Sequence, residues 1–266
     1  MRLSQRHLNF LETCPRKFQH TYLDLLGAPT SPEQQEKLGW GSRFHLLMQQ
    51  RELGLPVDSL LQENPELKLC LDGLIPAAPD IFNNQMEGDF FREAEHQRTL
   101  NLGKYLMLVR YDLLIADAKN ARIIDWKTYP VPQNKKQLEQ DWQTRLYLYV
   151  LAETSNYAPK QISMTYWFVK TPLDKTNPPA FVKFAYSEAK HKKTEKDLNL
   201  LLDNLTLGLK RYQEMGVDFP QVDIEAKVCT HCQFAFRCER SFEKNEEETK
   251  VTNDWFDLTK IPEVKL

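Results

Sequence analysis

The sequence contains no apolar run of the roughly 18 to 20 residues that a membrane-spanning helix needs, and its first residues lack the apolar segment of a signal peptide. We therefore expect a soluble protein of the cytoplasm with no membrane partner. An excess of charge of one sign is also missing, because 35 Lys and Arg residues face 37 Asp and Glu residues. Any contact with nucleic acid must then come from local basic patches.

Cysteine is scarce, and its count of five is odd. Stable disulfides are rare in cytosolic proteins, so metal ligation is the more natural use of these thiols. Cys229, Cys232 and Cys238 form C-x-x-C followed by a third cysteine, and Cys14 is the fourth candidate. Two thiolates separated by two residues can bind one metal centre from a tight turn. Spacing does not distinguish zinc from iron, so both remain open, and Cys70 is expected to be buried and inert.

Hydrophobic periodicity alternates between helical and extended spacing, which predicts an α/β chain. Helical spacing covers residues 4–23, 37–53, 58–74, 134–153 and 187–216, and extended spacing covers residues 90–100, 105–116, 121–128, 162–170 and 181–186. Pro15 is expected to divide the first helix, with Cys14 at the corner. The first three strands are expected to form an antiparallel meander.

The predicted strand 121–128 carries Asp125 and Lys127 two residues apart, so both side chains point to the same face. The strand before it supplies Asp112. Two acidic groups on neighbouring strands repel each other unless a cation lies between them, which predicts a site for Mg²⁺ or Mn²⁺. A lysine beside metal and phosphate can orient the attacking water or stabilise charge that develops on the phosphate. The alternative is charge alternation along an exposed strand edge, because D-x-K is a short pattern.

Further polar residues accompany this pattern in chain order. His45 follows Gly41 on a predicted helix, where the glycine permits a close approach, and Gln143 and Tyr147 share one face of a later helix. Taken singly, His45 and Tyr147 also fit ordinary core packing. Together with the two aspartates and the lysine, they indicate one catalytic site.

The series G-x-x-x-H, a strand aspartate, D-x-K and Q-x-x-x-Y resembles the motifs of RecB-like nucleases of the PD-(D/E)XK superfamily. The resemblance implies that the metal ligands are His45, Asp112 and Asp125, that Lys127 is the catalytic lysine, and that Gln143 and Tyr147 contact the DNA or orient the site. The carbonyl of Trp126 is implied as a further ligand. The family often has a glycine three residues before its strand aspartate, where this chain has Val109.

The cysteine pattern resembles that of RecB-like nucleases with an iron–sulfur cluster, among them AddB-type helicase–nucleases and CRISPR-associated nucleases of spacer acquisition. Those proteins place one cysteine before the nuclease motifs and three after them. The resemblance implies a 4Fe-4S cluster held by Cys14, Cys229, Cys232 and Cys238, with zinc as the alternative occupant. Such a cluster would fasten the N-terminal corner to the C-terminal tail.

We therefore predict one restriction-endonuclease-like α/β domain over residues 1–266, with a central mixed sheet flanked by helices. Its parts are a helical insertion at 28–88, the catalytic sheet core at 89–186 and a cluster-binding tail at 219–245. The predicted activity is metal-dependent hydrolysis of DNA, by analogy an exonuclease on single strands in recombination, repair or CRISPR adaptation. Arg145, near the face of Gln143, is the candidate for a phosphate contact.

Two other functions remain open. The chain could be a DNA-binding accessory subunit of a helicase or integrase complex with little cleavage of its own, or it could be a zinc-stabilised structural protein. The G-x-x-x-x-G-K-S/T motif of nucleotide-driven helicases is missing from the sequence, so the chain is not expected to unwind a duplex by itself. It would depend on a partner protein or on existing single strands, and the family resemblance implies a helicase or a CRISPR integrase as the kind of partner.

Overall fold

The computed structural model describes residues 1–27, 32–82, 90–132, 134–169 and 179–240. Contacts within the chain divide it into two units, Met1–Pro220 and Gln221–Leu266. Outside the described residues lie most of the loop expected at 171–179, the charged run at 243–250, and parts of the expected insertion at 28–31 and 83–88. The division into an insertion, a sheet core and a tail stays a prediction.

The described α-helices are, in chain order, α1 (Gln5–Thr13), α2 (Pro15–Phe18), α3 (Pro32–Glu52), α4 (Asp58–Glu63), α5 (Pro65–Ala77), α6 (Pro79–Phe82), α7 (Lys135–Gln140), α8 (Trp142–Glu153) and α9 (Glu188–Met215). The predicted division at Pro15 is confirmed, since Cys14 has an extended backbone between α1 and α2. A π-helical turn, Gln19–Leu23, continues α2. The predicted start and end of α9 are also confirmed, because Ser187 caps its first turn and Gly216 ends it in the left-handed region.

Two predicted helices are each divided in the structure. The pattern over 58–74 forms α4 and α5, because Asn64 leaves the helical region and the following proline begins a new first turn. The pattern over 134–153 forms α7 and α8, because Asp141 has an extended backbone and its side chain accepts the N–H of Gln143. This second division places Gln143 in the first turn of α8, where its side chain meets the sheet.

The described strands form one six-stranded mixed sheet, made of β1 (Arg2–Leu3), β2 (Phe91–Leu102), β3 (Tyr105–Ala116), β4 (Ala121–Lys127), β5 (Ile162–Phe168) and β6 (Ala180–Ala185). β2, β3 and β4 are antiparallel, which confirms the predicted meander. β4 and β5 are parallel, and the chain between them passes through α7 and α8. β1 and β4 pair with the same side of β3, β1 near its start and β4 near its end. The architecture is the predicted restriction-endonuclease-like α/β fold.

Helices cover both faces of the sheet, and each face has its own apolar core. One core packs α1, α8 and α9 against the sheet through buried residues such as Leu8, Leu146 and Leu198. The other packs α3, α5 and α6 through buried residues such as Phe44 and Leu71. Because the sheet separates two cores, a site at its edge can receive side chains from helices on both faces. Within the described ranges, no helix is both long and apolar enough to span a membrane.

Candidate functional site

β3 and β4 separate at the two predicted carboxylates. Their pairing extends only to Leu113 and Ile124, and the same register would set Asp112 opposite Asp125. Instead, the backbone N–H of Trp126 donates to Asp112 Oδ2 at 2.7 Å, so a carboxylate takes the place of a strand partner. The site lies in this fork of the sheet, which α3 approaches from one face and α8 from the other.

Asp125 is held between a lysine and a glutamine. Its Oδ1 lies 2.7 Å from Lys127 Nζ, and its Oδ2 accepts a 2.6 Å hydrogen bond from Gln143 Nε2. The Oε1 atom of Gln143 accepts a 2.6 Å hydrogen bond from Lys127 Nζ, so one amide ties the two charged groups together. Asp125 is only 3% exposed. Burial and the charge of Asp112 raise the pKa of Asp125 to about 6, against the opposing charge of Lys127.

His45 reaches the fork from α3. Its Nδ1 lies 3.4 Å from Asp112 Oδ2, and its side chain is 32% exposed toward a cleft of about 540 Å³. Burial works against protonation, but the hydrogen bond and the charge of Asp112 raise the pKa of His45 above its ordinary value. Gly41 allows the close approach that the sequence predicts, since a Cβ there would lie 3.0 Å from Thr128 Oγ1.

A glutamate that no sequence motif singles out lies on the same side of the cleft. Ligand atoms of His45, Glu95 and Asp112 are within 4.8 Å of one another, and no other such group of His, Cys, Asp or Glu exists among the described residues. This group differs from the predicted metal set in one member, because the Asp125 carboxylate is engaged by Lys127. Only the pairing register of β2 with β3 could have indicated Glu95, and a strand pattern does not give that register.

Tyr147 and Arg145 lie away from the open cleft. Tyr147 is 4% exposed, and its ring packs edge-on against Tyr111, whose hydroxyl donates to the Tyr147 carbonyl at 3.0 Å. Arg145 points to the other side of α8, where its guanidinium lies 2.6 Å from a carboxylate oxygen of Asp197 and 4.0 Å from the ring of Trp142. Of the residues predicted on α8, the structure brings Gln143 to the carboxylates and leaves Arg145 apart from them.

The candidate cysteines belong to two separate units. In Met1–Pro220, Cys14 is buried at the corner between α1 and α2. In Gln221–Leu266, Cys229 is buried, and its carbonyl oxygen accepts the backbone N–H of Cys232 at 3.1 Å, the tight turn expected of C-x-x-C. All cysteines of the chain fall within the described ranges, and none of them forms a disulfide.

The donor chemistry at the fork suits a hard divalent cation. Carboxylate oxygens, supplemented by an imidazole, are ligands that Mg²⁺ and Mn²⁺ accept. The recorded partner of the buried Asp125 Oδ1 is Lys127 Nζ at 2.7 Å, so this oxygen keeps a lone pair for a metal ion. Burial and the charge of Asp112 also raise the pKa of Glu95. Negative charge is therefore crowded at the fork, and a bound cation would relieve it.

A family model for the PD-(D/E)XK nuclease superfamily matches residues 2–239. The chain belongs to this superfamily. As a PD-(D/E)XK protein it is a nuclease, and nucleases of this superfamily use divalent metal ions and act on DNA. The matched range includes Asp112, Asp125 and Lys127, which meet at the fork.

Two solved structures are similar to this chain, and one of them supports the fold. The crystal structure of a "Putative exonuclease" from Eubacterium rectale aligns with a TM-score of 0.50 and 12% sequence identity, over 94% of this chain and 92% of that chain. The crystal structure of SSO0001 aligns with a TM-score of 0.39 and 12% identity, over 91% of this chain and 87% of that chain. At 12% identity the first structure supports the fold alone. The TM-score of the second is too low to support any conclusion. No curated protein matches the sequence.

Proposed function

We propose that this PD-(D/E)XK nuclease hydrolyses phosphodiester bonds of DNA at the fork, with Mg²⁺ or Mn²⁺ bound by His45, Asp112 and Asp125. The observation that carries the proposal is the buried linkage of Asp125, Lys127 and Gln143 directly beside Asp112. Removing a carboxylate and an ammonium group from water costs several kcal/mol. Hydrophobic residues at the end of this strand would be more stable, so we attribute the charged residues to a catalytic role.

Each side chain of the linkage has a distinct role in the proposed reaction. A divalent cation, when bound, acidifies a water molecule and stabilises negative charge on the phosphate. Although burial opposes it, the charge of Asp125 raises the pKa of Lys127, so the lysine stays protonated and can donate to a phosphate oxygen or to the attacking water. Gln143 holds that ammonium group in place and is a positioning residue. The Tyr147 hydroxyl forms a hydrogen bond with the Gln143 side chain, so Tyr147 is a second positioning residue.

Single-stranded DNA ends are the proposed substrate, in recombination, repair or CRISPR adaptation, with a helicase or an integrase as the proposed partner. The support for this finer assignment is the resemblance of the motif series to RecB-like nucleases. Because Arg145 is already paired with Asp197, we assign the phosphate contact to Lys37 and Gln49, which line the cleft beside His45.

The test is cleavage of end-labelled single-stranded DNA with Mg²⁺ or Mn²⁺ by the full chain. Asp125→Asn and Lys127→Met keep side-chain volume and should each lower the cleavage rate by at least about 100-fold, the scale of losing transition-state stabilisation. Asp197→Asn is the matched control, because it removes a carboxylate on the other side of α8. Equal cleavage by all variants, or none by the wild type, would favour the DNA-binding accessory role instead.

A 4Fe-4S cluster at Cys14, Cys229, Cys232 and Cys238 is the second part of the proposal, with zinc as the alternative occupant. The support is the cysteine order in the sequence and the tight turn of C-x-x-C. Protein purified without oxygen should be brown, with a broad visible absorbance that Cys229→Ser removes, whereas Cys70→Ser should keep it. A colourless protein that contains zinc would identify the alternative centre.

A further inference from the structure

We propose that Glu95 is a further ligand of the divalent cation, and that the distorted middle of β2 serves to present it. The inference rests on the nuclease function proposed above, which supplies the cation. The ligand atoms of Glu95, His45 and Asp112 already lie within 4.8 Å of one another without a metal. All three side chains are partly buried, so few solvent contacts have to be lost when a cation binds.

The backbone of Glu95 is held in an unfavourable conformation. Its φ angle is 52°, in the left-handed region that non-glycine residues rarely adopt because it is energetically costly for them. The residue stands opposite Asp112, between the paired positions Ala94 with Leu113 and His96 with Tyr111. A regular β2 would avoid this cost, so some other requirement has to maintain the distortion.

The distortion exchanges the faces of β2. Arg92 reaches the carbonyl of Ile81 in α6 on one side of the sheet, whereas Arg98 reaches the carbonyl of Thr154 after α8 on the other side. In a regular strand these two residues, an even number of positions apart, would share one face. Glu95 lies at the point of exchange, and there its carboxylate turns toward the fork and α3.

The local charges favour a cation at this point. Arg110 offers the nearest positive side chain that the structure records for Glu95, at 3.6 Å, but it is 61% exposed and contributes little. Asp112 is close enough to both Glu95 and Asp125 for its negative charge to act on each of them. Lys127 is bound to Asp125, so Glu95 and Asp112 have only the exposed Arg110 and the titratable His45 as recorded ion-pair partners. More carboxylate ligands also increase the affinity of a site for a hard divalent cation.

The experiment measures Mn²⁺ binding to the full chain by calorimetry and by electron paramagnetic resonance, alongside DNA cleavage. Glu95→Gln should bind Mn²⁺ at least about tenfold more weakly, the lower end of what losing a supporting group costs at a metal site. Glu93→Gln is the control on the same strand, since its carboxylate is 53% exposed and pairs with His96. It should bind Mn²⁺ as the wild type does.

A second variant separates the ligand role from folding. Glu95→Gly removes the carboxylate and suits the left-handed backbone, so it should melt at or above the wild-type temperature while binding Mn²⁺ as weakly as Glu95→Gln. Wild-type affinity in both variants, or no Mn²⁺ binding by the wild type, would overturn the inference. Mn²⁺ binding that depends on Glu95 in a protein that cleaves no DNA would uphold the ligand and overturn the nuclease function.

Discussion

Two charged clusters lie on opposite sides of α8, and they differ in charge balance. The fork cluster contains His45 together with three carboxylates and one lysine, namely Glu95, Asp112, Asp125 and Lys127. The α9 cluster contains three cations and three carboxylates, namely Arg145, Lys190, Lys193, Glu12, Glu139 and Asp197. In the α9 cluster each carboxylate has an arginine or lysine within 3.7 Å. In the fork cluster only Asp125 pairs with the lysine, whereas Asp112 meets the titratable His45 at 3.4 Å and Glu95 meets the largely exposed Arg110, from outside the cluster, at 3.6 Å.

The balance decides what each cluster can do. Matched charges connect α8 to α1 and α9 and need no ligand, so the α9 cluster contributes to the fold. Unmatched carboxylates repel one another, and the fork cluster is therefore less stable alone than with a cation bound. Nearby charged residues in a sequence do not reveal this difference, because it depends on which side chains meet in the fold.

The largest expected difference between the two clusters is in how metal binding depends on pH. Protons and a cation compete for the fork cluster, because the pKa values of His45, Glu95 and Asp125 are all raised. A raised pKa keeps a group protonated to a higher pH than usual, and for Asp125 that pKa is about 6. Mn²⁺ affinity should therefore fall by about tenfold per pH unit below about pH 6, because one proton must leave Asp125 for each cation that binds. Calorimetry at about pH 5, 5.5 and 7.5 measures this slope.

The α9 cluster is the internal control for that experiment. Although burial opposes it, the hydrogen bond from Lys193 and the charge of Arg145 hold the pKa of Asp197 below its ordinary value. A lowered pKa means that its stabilising pair is present above the ordinary value and is lost only as pH falls through the lowered one. Asp197→Asn should then leave the pH slope of Mn²⁺ binding unchanged. A slope near zero in the wild type would contradict the proton competition.

Removing the central cation of the α9 cluster should affect stability and not cleavage. Arg145 is 13% exposed and is shared by Asp197 and Glu12, so Arg145→Met takes the cation away from Glu12 and leaves Asp197 with Lys193 alone. We expect the free energy of unfolding to fall by about 1–2 kcal/mol, below the value for a fully buried pair because water screens both carboxylates. Urea denaturation measures this loss. The cleavage rate per folded molecule should stay at the wild-type value, and a large decrease would mean that Arg145 contacts DNA.

The fold and the main site residues could be predicted because they depend on local pattern. Asp125 and Lys127 share a face by strand periodicity alone, and Gln143 follows from helix spacing. Glu95 could not be predicted, since a left-handed residue and the register of β2 against β3 bring it to the fork. Arg145 is expected near Gln143, but residues two positions apart on a helix face different neighbours, so Arg145 lies on the other side of α8.

The smallest expected effect concerns how α3 delivers His45 to the fork cluster. Gly41→Ala would set a Cβ 3.0 Å from Thr128 Oγ1, so α3 must shift by a few tenths of an ångström. Gly39→Ala on the same helix meets only Arg43 at 3.6 Å, an ordinary contact, and should stabilise the protein by about 0.5–1 kcal/mol. Gly41→Ala should stabilise the protein much less than Gly39→Ala does. It should also lower the cleavage rate about threefold to tenfold, because a small displacement of a catalytic group slows the reaction.

A second substitution shows whether Gly41→Ala acts by displacing His45 or by a general loss of stability. Thr128→Ala removes the hydroxyl that the new Cβ would meet, so the double variant with Gly41→Ala should regain most of the lost cleavage and Mn²⁺ affinity. The same change combined with Gly39→Ala should alter neither. If Gly41→Ala behaved like Gly39→Ala, the position of His45 would not depend on the close approach of α3. Metal binding at the fork cluster would then not require His45 to lie at the position seen in the structure.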